Sequence, residues 1–333
     1  MREEEIIVSV DAMGGDNAPF SAIKACGLVS PEEKLRLILV GNRDAIGNHE
    51  NFDNHPYVEI LNTEKYIGME DKVNLQMIKS KDNSMCRTVL LHKEGRAHYA
   101  LSAGNTAAFV SYAISELGLI ENIERPAISI LLPNMKGTFT VFADAGANAN
   151  AKPFHILQAA QMNSIFASTV FGVKDPSVSL LNIGSEATKG DELRKAAFPL
   201  LEKGGINFKG NIEGQELFSG KTDVVIADGF TGNVVLKVTE GMTRSFKTML
   251  FREIRRSLLG KACGFLLRGS FRNFAKKIDY AEYGGGILLG VNGIVVISHG
   301  RSSPRALYSA IKFGKKVVMS DLLGNLKKFA EKK

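Results

Sequence analysis

The sequence predicts an α/β fold built on a three-layer, mostly parallel sheet. Three observations carry that expectation. Short apolar, β-branched runs recur along the chain, helical patterns separate several of them, and Gly, Asn, Asp and Ser cluster directly after six of the runs. Such alternation is the signature of βαβ units in a parallel sheet. Runs that are almost continuously apolar fit strands covered on both faces.

The runs fall at residues 6–10, 35–40, 57–61, 98–101, 127–132, 139–143, 178–183, 223–227 and 294–298. Helical patterns occupy 106–117, 151–171 and 191–201. No internal repeat or Pro-rich hinge divides the chain, so residues 1–333 are expected to form one continuous domain. An exception in character spans about 240–278. There Phe246, Leu250, Ile254 and Leu258 recur at i+4, Leu267, Phe271, Phe274 and Ile278 follow a similar spacing, and Gly260 and Gly264 interrupt. This pattern predicts an amphipathic helical hairpin projecting from the body.

Composition sets the class. The chain has 333 residues and is 44% hydrophobic, which is ordinary for a globular protein. Its acidic start, Arg2-Glu3-Glu4-Glu5, is unlike a signal peptide. No apolar stretch approaches the ~20 residues that cross a bilayer. Three widely separated cysteines, Cys26, Cys86 and Cys263, suit a reducing, cytoplasmic setting and form no zinc pattern. Net charge is +7, yet residues 244–277 alone hold ten Lys and Arg against Glu253. The basicity is therefore concentrated in the hairpin.

The loops after the runs hold the candidate chemistry. They are Asp11 to Asp16, Ser102-Ala103-Gly104-Asn105-Thr106, Asp144-Ala145-Gly146-Ala147-Asn148, residues 184–190, Asp228-Gly229-Phe230-Thr231-Gly232-Asn233, and Ser298-His299-Gly300. Any one of these is the ordinary composition of a turn. In an open α/β sheet the carboxyl ends of parallel strands share an edge, so all six are expected to converge on one cleft. Glycine permits close backbone approach, and helix N-terminal amides attract anions. Ser102, Gly104, Asn105 and Thr106 supply the groups that hold phosphate. Lys189, beside Gly190, can neutralise phosphate or an oxyanion, and His299 can orient an anion or donate a proton.

Other motifs fail on spacing or context. Gly220-Lys221-Thr222 follows Gly214 one residue too far for a P-loop and leads into a strand. Gly284-Gly285-Gly286 is not a dinucleotide fingerprint, and H-E-x-x-H and G-x-S-x-G are absent. No metal and no cofactor is expected.

Taken together, the loops resemble those of the PlsX family, the phosphate acyltransferases of bacterial phospholipid synthesis. The order and spacing of Asp11–Asp16, Ser102–Thr106, Asp144–Asn148, Gly184-x-Glu186-x-x-Lys189-Gly190, Asp228–Asn233 and Ser298–Gly300 carry the resemblance, which covers nearly the whole chain. It implies transfer of a fatty acyl group from acyl carrier protein to inorganic phosphate. It also implies a homodimer, a fold similar to isopropylmalate dehydrogenases and phosphotransacetylases, and peripheral membrane attachment. On that basis Asn148, Asn233 and His299 are orienting groups beside Lys189, while Asp11, Asp144, Glu186, Asp228 and Thr231 complete the cleft. No cysteine lies in the loops, so a thiol acyl-enzyme is not expected. The neighbouring alternative is an acyl-coenzyme A:phosphate acyltransferase. A non-catalytic anion-binding protein at a membrane surface is the alternative of a different class.

For the hairpin, ten cations suggest nucleic acid, but its phenylalanines sit at helical packing spacing and no nucleic-acid motif accompanies them. An anionic membrane surface accounts for both faces. Leu258, Leu259, Phe265, Leu266 and Leu267 would enter the headgroup boundary while Arg and Lys attract anionic lipid.

Overall fold

The computed structural model describes residues 5–49, 55–277 and 284–332. Eleven strands form one sheet: β1 (Ile6–Asp11), β2 (Leu35–Gly41), β3 (Val58–Asn62), β4 (Tyr99–Ser102), β5 (Ala127–Pro133), β6 (Phe139–Ala143), β7 (Ser177–Asn182), β8 (Asn207–Glu213), β9 (Val224–Ile226), β10 (Gly286–Leu289) and β11 (Val295–Ile297). Their order is β3-β2-β1-β4-β11-β10-β5-β6-β9-β7-β8. All nine apolar runs are strands. β8 and β10 escaped the sequence reading, β8 because Asn, Lys and Gly dilute its apolar residues, β10 because it is four residues long and begins at the third of three glycines.

Side chains of successive strand residues point to opposite faces. One core gathers Val10, Leu101, Leu131 and Val296. The other gathers Ala100, Ile128, Ile130, Val295 and Ile297. Helices Phe20–Cys26, Pro153–Phe171 and Pro304–Met319 cover the first face; Ser84–Lys93 and Thr106–Leu117 cover the second. The three layers follow from this two-sided burial.

Strand direction corrects one expectation. β1, β2, β3, β4 and β11 run parallel, as do β6, β7, β8 and β9. Between them β10 is antiparallel to β11 and β5, and β5 is antiparallel to β6. The two parallel sets therefore run in opposite directions, and the six loops do not leave one common edge. They are brought together by register instead. Ile297, the last residue of β11, pairs with Gly286, which pairs with Ile130; Ile130 pairs with Phe142, one residue before the end of β6. The ends of β11 and β6 thus meet from opposite directions at one level of β5.

The 240–278 segment also differs from a two-helix hairpin. Its first helix begins at the Asp228 loop and runs Gly229–Ile254; Leu258–Leu266 and Arg268–Lys277 follow. Gly260 and Gly264 lie inside the second helix, and the breaks fall at 255–257 and 267. Ile278 and the Leu258 side chain lie outside the described residues. No described side chain from 239 to 277 is buried, so this segment stands off the body. No described helix is long and apolar enough to cross a membrane.

Helix Pro304–Met319 locks onto β4 where Gly314 meets the Tyr99 ring, and Tyr99 Oη donates to the Ile311 carbonyl at 2.5 Å. A Cβ at Gly314 would overlap that ring. Helix propensity alone makes Gly→Ala stabilising by about 1 kcal/mol. Gly314→Ala is instead expected to destabilise by about 1–3 kcal/mol, because overpacking wins in a filled core. A urea denaturation midpoint at or above the parent's would show that the contact relaxes.

Candidate active site

Five of the six loops form two clusters. In the first, Asp11 and Ser102 are buried; Ser102 Oγ donates to Asp11 Oδ2 at 2.7 Å and accepts from the Gly104 amide at 3.0 Å. Gly14 packs so closely that a Cβ there would lie 2.7 Å from both Asp11 Oδ2 and the Gly104 nitrogen. Asn105 caps helix Thr106–Leu117 by accepting from the Ala108 amide, and its Nδ2 donates to the Met69 and Asp71 carbonyls. Asp16 N–H donates to the Gly300 carbonyl, joining the loop after β11.

In the second cluster Asp144 accepts from the backbone N–H of Ile128, Gly146, Ala147 and Asn148, and from Asn148 Nδ2. Asn148 Nδ2 also donates to the Pro126 carbonyl. Asp228 caps helix Gly229–Ile254, its Oδ1 accepting from the Thr231 amide. Its Oδ2 accepts from the Thr231 hydroxyl at 2.7 Å and from Arg194 at 2.6 Å. The two loops pack backbone to backbone. A Cβ on Gly229 would lie 2.7 Å from the Asn148 nitrogen, and one on Gly232 would overlap the Asp144 carbonyl. These glycines serve loop-to-loop approach within the chain, not close approach to a ligand.

Most of the sequence-selected polar groups are therefore committed internally. Ser102, Gly104, Asn105 and Asn148 hold the loops, as do Asp11, Asp144, Asp228 and Thr231. None of these lines the cavity between the clusters. That cavity, about 510 Å³, is bounded on the second face of the sheet by Val110, Ile114, Ile128, Ile130, Leu236 and Ile297. Its polar lining is Thr106, Ser111, Asn233, Lys237, Ser298 and His299, with small residues at 145–147 and 285–286. Asn105 takes the Ala108 amide, while those of Thr106 and Ala107, earlier in the same turn, have no acceptor among the described residues. The Asn233 side chain makes no hydrogen bond among the described residues.

Lys189 and Glu186 are exposed on the loop after β7, outside the cavity lining. That loop wraps Asn182, whose Nδ2 donates to the Lys189 carbonyl. Three functional candidates were missed by sequence reasoning. Arg194 joins the helix after this loop to Asp228. Lys237 and Glu240 repeat the Asn233 position at i+4 and i+7, a signal that required starting the helix at Gly229. Glu240 Oε2 lies 3.2 Å from His299 Nε2 and 3.3 Å from Lys237 Nζ.

Burial raises the Asp11 and Asp144 carboxyls above their ordinary values, opposed by the hydroxyl and amide donors around them. Burial also acts to raise Asp228, but Thr231 and the Arg194 guanidinium overcome it and hold that carboxyl below its ordinary value. Among the described residues no group of three or more His, Cys, Asp or Glu is placed to hold a metal ion.

The sequence and the fold both have matches among known proteins. Residues 6–324 match the family model described as fatty acid synthesis protein. The chain belongs to that family. A phosphate acyltransferase from Desulforudis audaxviator is 40% identical over 96% of this chain and 94% of its own. One from Staphylococcus epidermidis is 43% identical over 92% and 94%. These relatives bear out the resemblance read from the loops. In fold, a phosphotransacetylase from Streptococcus pyogenes superposes with a TM-score of 0.61 at 16% identity, covering 94% of each chain. The phosphotransacetylase-like architecture is borne out by that match.

The Arg194–Asp228 pair is buried, with side chains 11% and 8% exposed. Arg194→Ala leaves Asp228 without its cation and is expected to cost about 3 kcal/mol at neutral pH. Because the folded carboxyl is depressed, the pair's contribution is present above the ordinary value of 3.8 and is lost as pH falls through the folded value. The gap between parent and variant in urea should therefore narrow in acid. A gap that is constant with pH would assign the loss to packing.

Proposed function

We propose that this chain transfers a fatty acyl group from acyl carrier protein to inorganic phosphate, forming acyl phosphate for phospholipid synthesis. The observation that carries the reading is the cavity itself, an apolar floor able to accept an acyl chain with anion-binding groups in the same lining. The free first-turn amides of helix Thr106–Leu117 suit an anion. Asn233 and His299 stand beside them. Relatives named phosphate acyltransferase support the same reading.

The chemistry needs little from the protein beyond position and charge. An oxygen of hydrogenphosphate attacks the thioester carbon, the C–O bond forms and the C–S bond breaks. The phosphate proton ends on the departing thiolate, whose parent thiol has a pKa of ~8.5. Proximity and preorganised donors do the rest. Lys189 is proposed as a further cation, carried by the loop whose following helix grips Asp228 through Arg194.

The exposed segment supports a homodimer and a peripheral place at an anionic membrane, in the cytoplasm. Phe230, Val234, Val238, Met242, Phe246 and Met249 make an exposed apolar stripe along helix Gly229–Ile254, a face that calls for a partner. Beyond it, Leu259, Phe265, Leu266 and Leu267 are exposed among the cations, with Leu266 at 80%. A second copy on the stripe and lipid at the tip account for both.

Three measurements test these statements. Purified protein with labelled phosphate should form acyl phosphate from acyl carrier protein in preference to acyl-coenzyme A. Product from the coenzyme A thioester alone would favour the phosphotransacetylase-like alternative, and none from either a non-catalytic role. Lys189→Ala should lower kcat by about 10²-fold, the typical loss of one preorganised group. An unchanged kcat makes Lys189 a solvated loop residue. Sedimentation with anionic vesicles should weaken with salt. Leu259→Glu with Leu266→Glu should reduce it while sparing activity in solution, whereas dissociation into inactive monomers would give the tip to the dimer.

A further inference from the structure

The cavity contains a charged group that none of the six loops supplies. On helix Gly229–Ile254 the residues Asn233, Lys237 and Glu240 share one face, being spaced i, i+4 and i+7. Asn233 and Lys237 line the cavity. Glu240 sits behind them with a side chain only 10% exposed. From the other half of the sheet comes His299, two residues beyond the end of β11.

Hydrogen bonding orders these groups. His299 Nδ1 accepts the Arg301 backbone N–H at 3.0 Å, so the proton of the neutral ring is assigned to Nε2. Nε2 lies 3.1 Å from Lys237 Nζ and 3.2 Å from Glu240 Oε2. Two N–H groups do not bond to each other, so both donate to Glu240. One carboxylate thereby holds a lysine from one half of the fold and a histidine from the other. An ammonium has three N–H donors. Glu240 takes one, and two remain for a ligand in the cavity.

We propose that Lys237 is the cation that receives the phosphate in this cavity, positioned by Glu240 and His299. The inference rests on the acyl phosphate reading. The anion groups first selected from the sequence are committed to the loops, apart from Thr106, and Lys189 lies outside the cavity lining. Thr106, Ala107 and Asn233 supply neutral donors, which leave a dianion uncompensated. Lys237 compensates it and stabilises the oxyanion as the C–O bond forms. It transfers no proton, since the proton of hydrogenphosphate leaves with the thiol. The same arrangement accounts for a shielded carboxylate beside an anion site: Glu240 is neutralised by Lys237.

The test measures acyl phosphate formation against phosphate concentration, and separately the ³¹P line broadening of inorganic phosphate by the protein without acyl donor. Lys237→Ala should lower kcat/KM for phosphate by about 10²-fold and abolish the broadening. Lys237→Arg should keep most activity, and ethylammonium should partly restore the alanine variant, a rescue that a merely structural role would not show. Glu240→Gln should raise KM for phosphate without changing that for the acyl donor. Parent-like denaturation midpoints establish that the variants fold. If the parent is active and Lys237→Ala matches it in kcat/KM and broadening, or if ethylammonium restores nothing, the proposal is overturned. If the parent makes no acyl phosphate, the broader reading fails instead, and the ³¹P comparison still decides whether Lys237 holds phosphate.

Discussion

A run of three successive antiparallel pairings, of β11 with β10, β10 with β5 and β5 with β6, is the constraint on which the rest of the molecule depends. It reverses the direction of four strands relative to the other parallel set. It also sets the level at which β11 and β6 stop. Loops from opposed strands can face one another only if those strands end at a common level. Here they do so over Ile128 and Ile130, whose side chains floor the cavity. A one-residue slip in this pairing would turn both isoleucines to the other face of the sheet and remove that floor.

Loop architecture is purchased with buried carboxylates. Asp11, Asp144 and Asp228 each collect donors from their own loops, so that backbone turns without regular partners remain satisfied. Gly229 and Gly232, three residues apart on one helix face, let the Asp144 loop lie directly on the helix start. The groups left for a ligand are consequently few. Among the described residues they are two amides and the Thr106 hydroxyl of one helix, with Asn233 and Lys237 of another.

Helix Gly229–Ile254 links two roles. Its first turns pack on the body through Val235 and Leu236 and present Asn233 and Lys237 to the cavity. Its outer turns stand clear, and the exposed apolar stripe runs along it from Phe230 in the first turn to Met249. Because the helix is continuous across residues 229–254, a contact made on the stripe bears on the element that holds the cavity's lysine.

The apolar runs, the turn residues after them and the basic amphipathic segment were legible from the chain alone, because local spacing dictates them. β-Branched runs make buried strands whatever their direction, and the order of the loops is enough to show the family. Direction and register were not legible. The 127–133 and 139–143 strands look alike whether parallel or antiparallel, since burial on both faces erases alternation. Nor does composition tell a ligand-binding Asn from one that caps a helix: Asn105 and Asn233 occupy similar Gly-rich stretches of sequence, yet of the two only the Asn233 side chain is left unbonded at the cavity. Lys237 and Glu240 carry no mark of function in the sequence, because His299 reaches them from a distant part of the chain. The sequence by itself determined which elements form and which chemistry is at hand. Tertiary structure decided which of those groups are consumed in holding the loops and which face the cavity, because hydrogen-bond partners are fixed by packing between segments far apart in sequence.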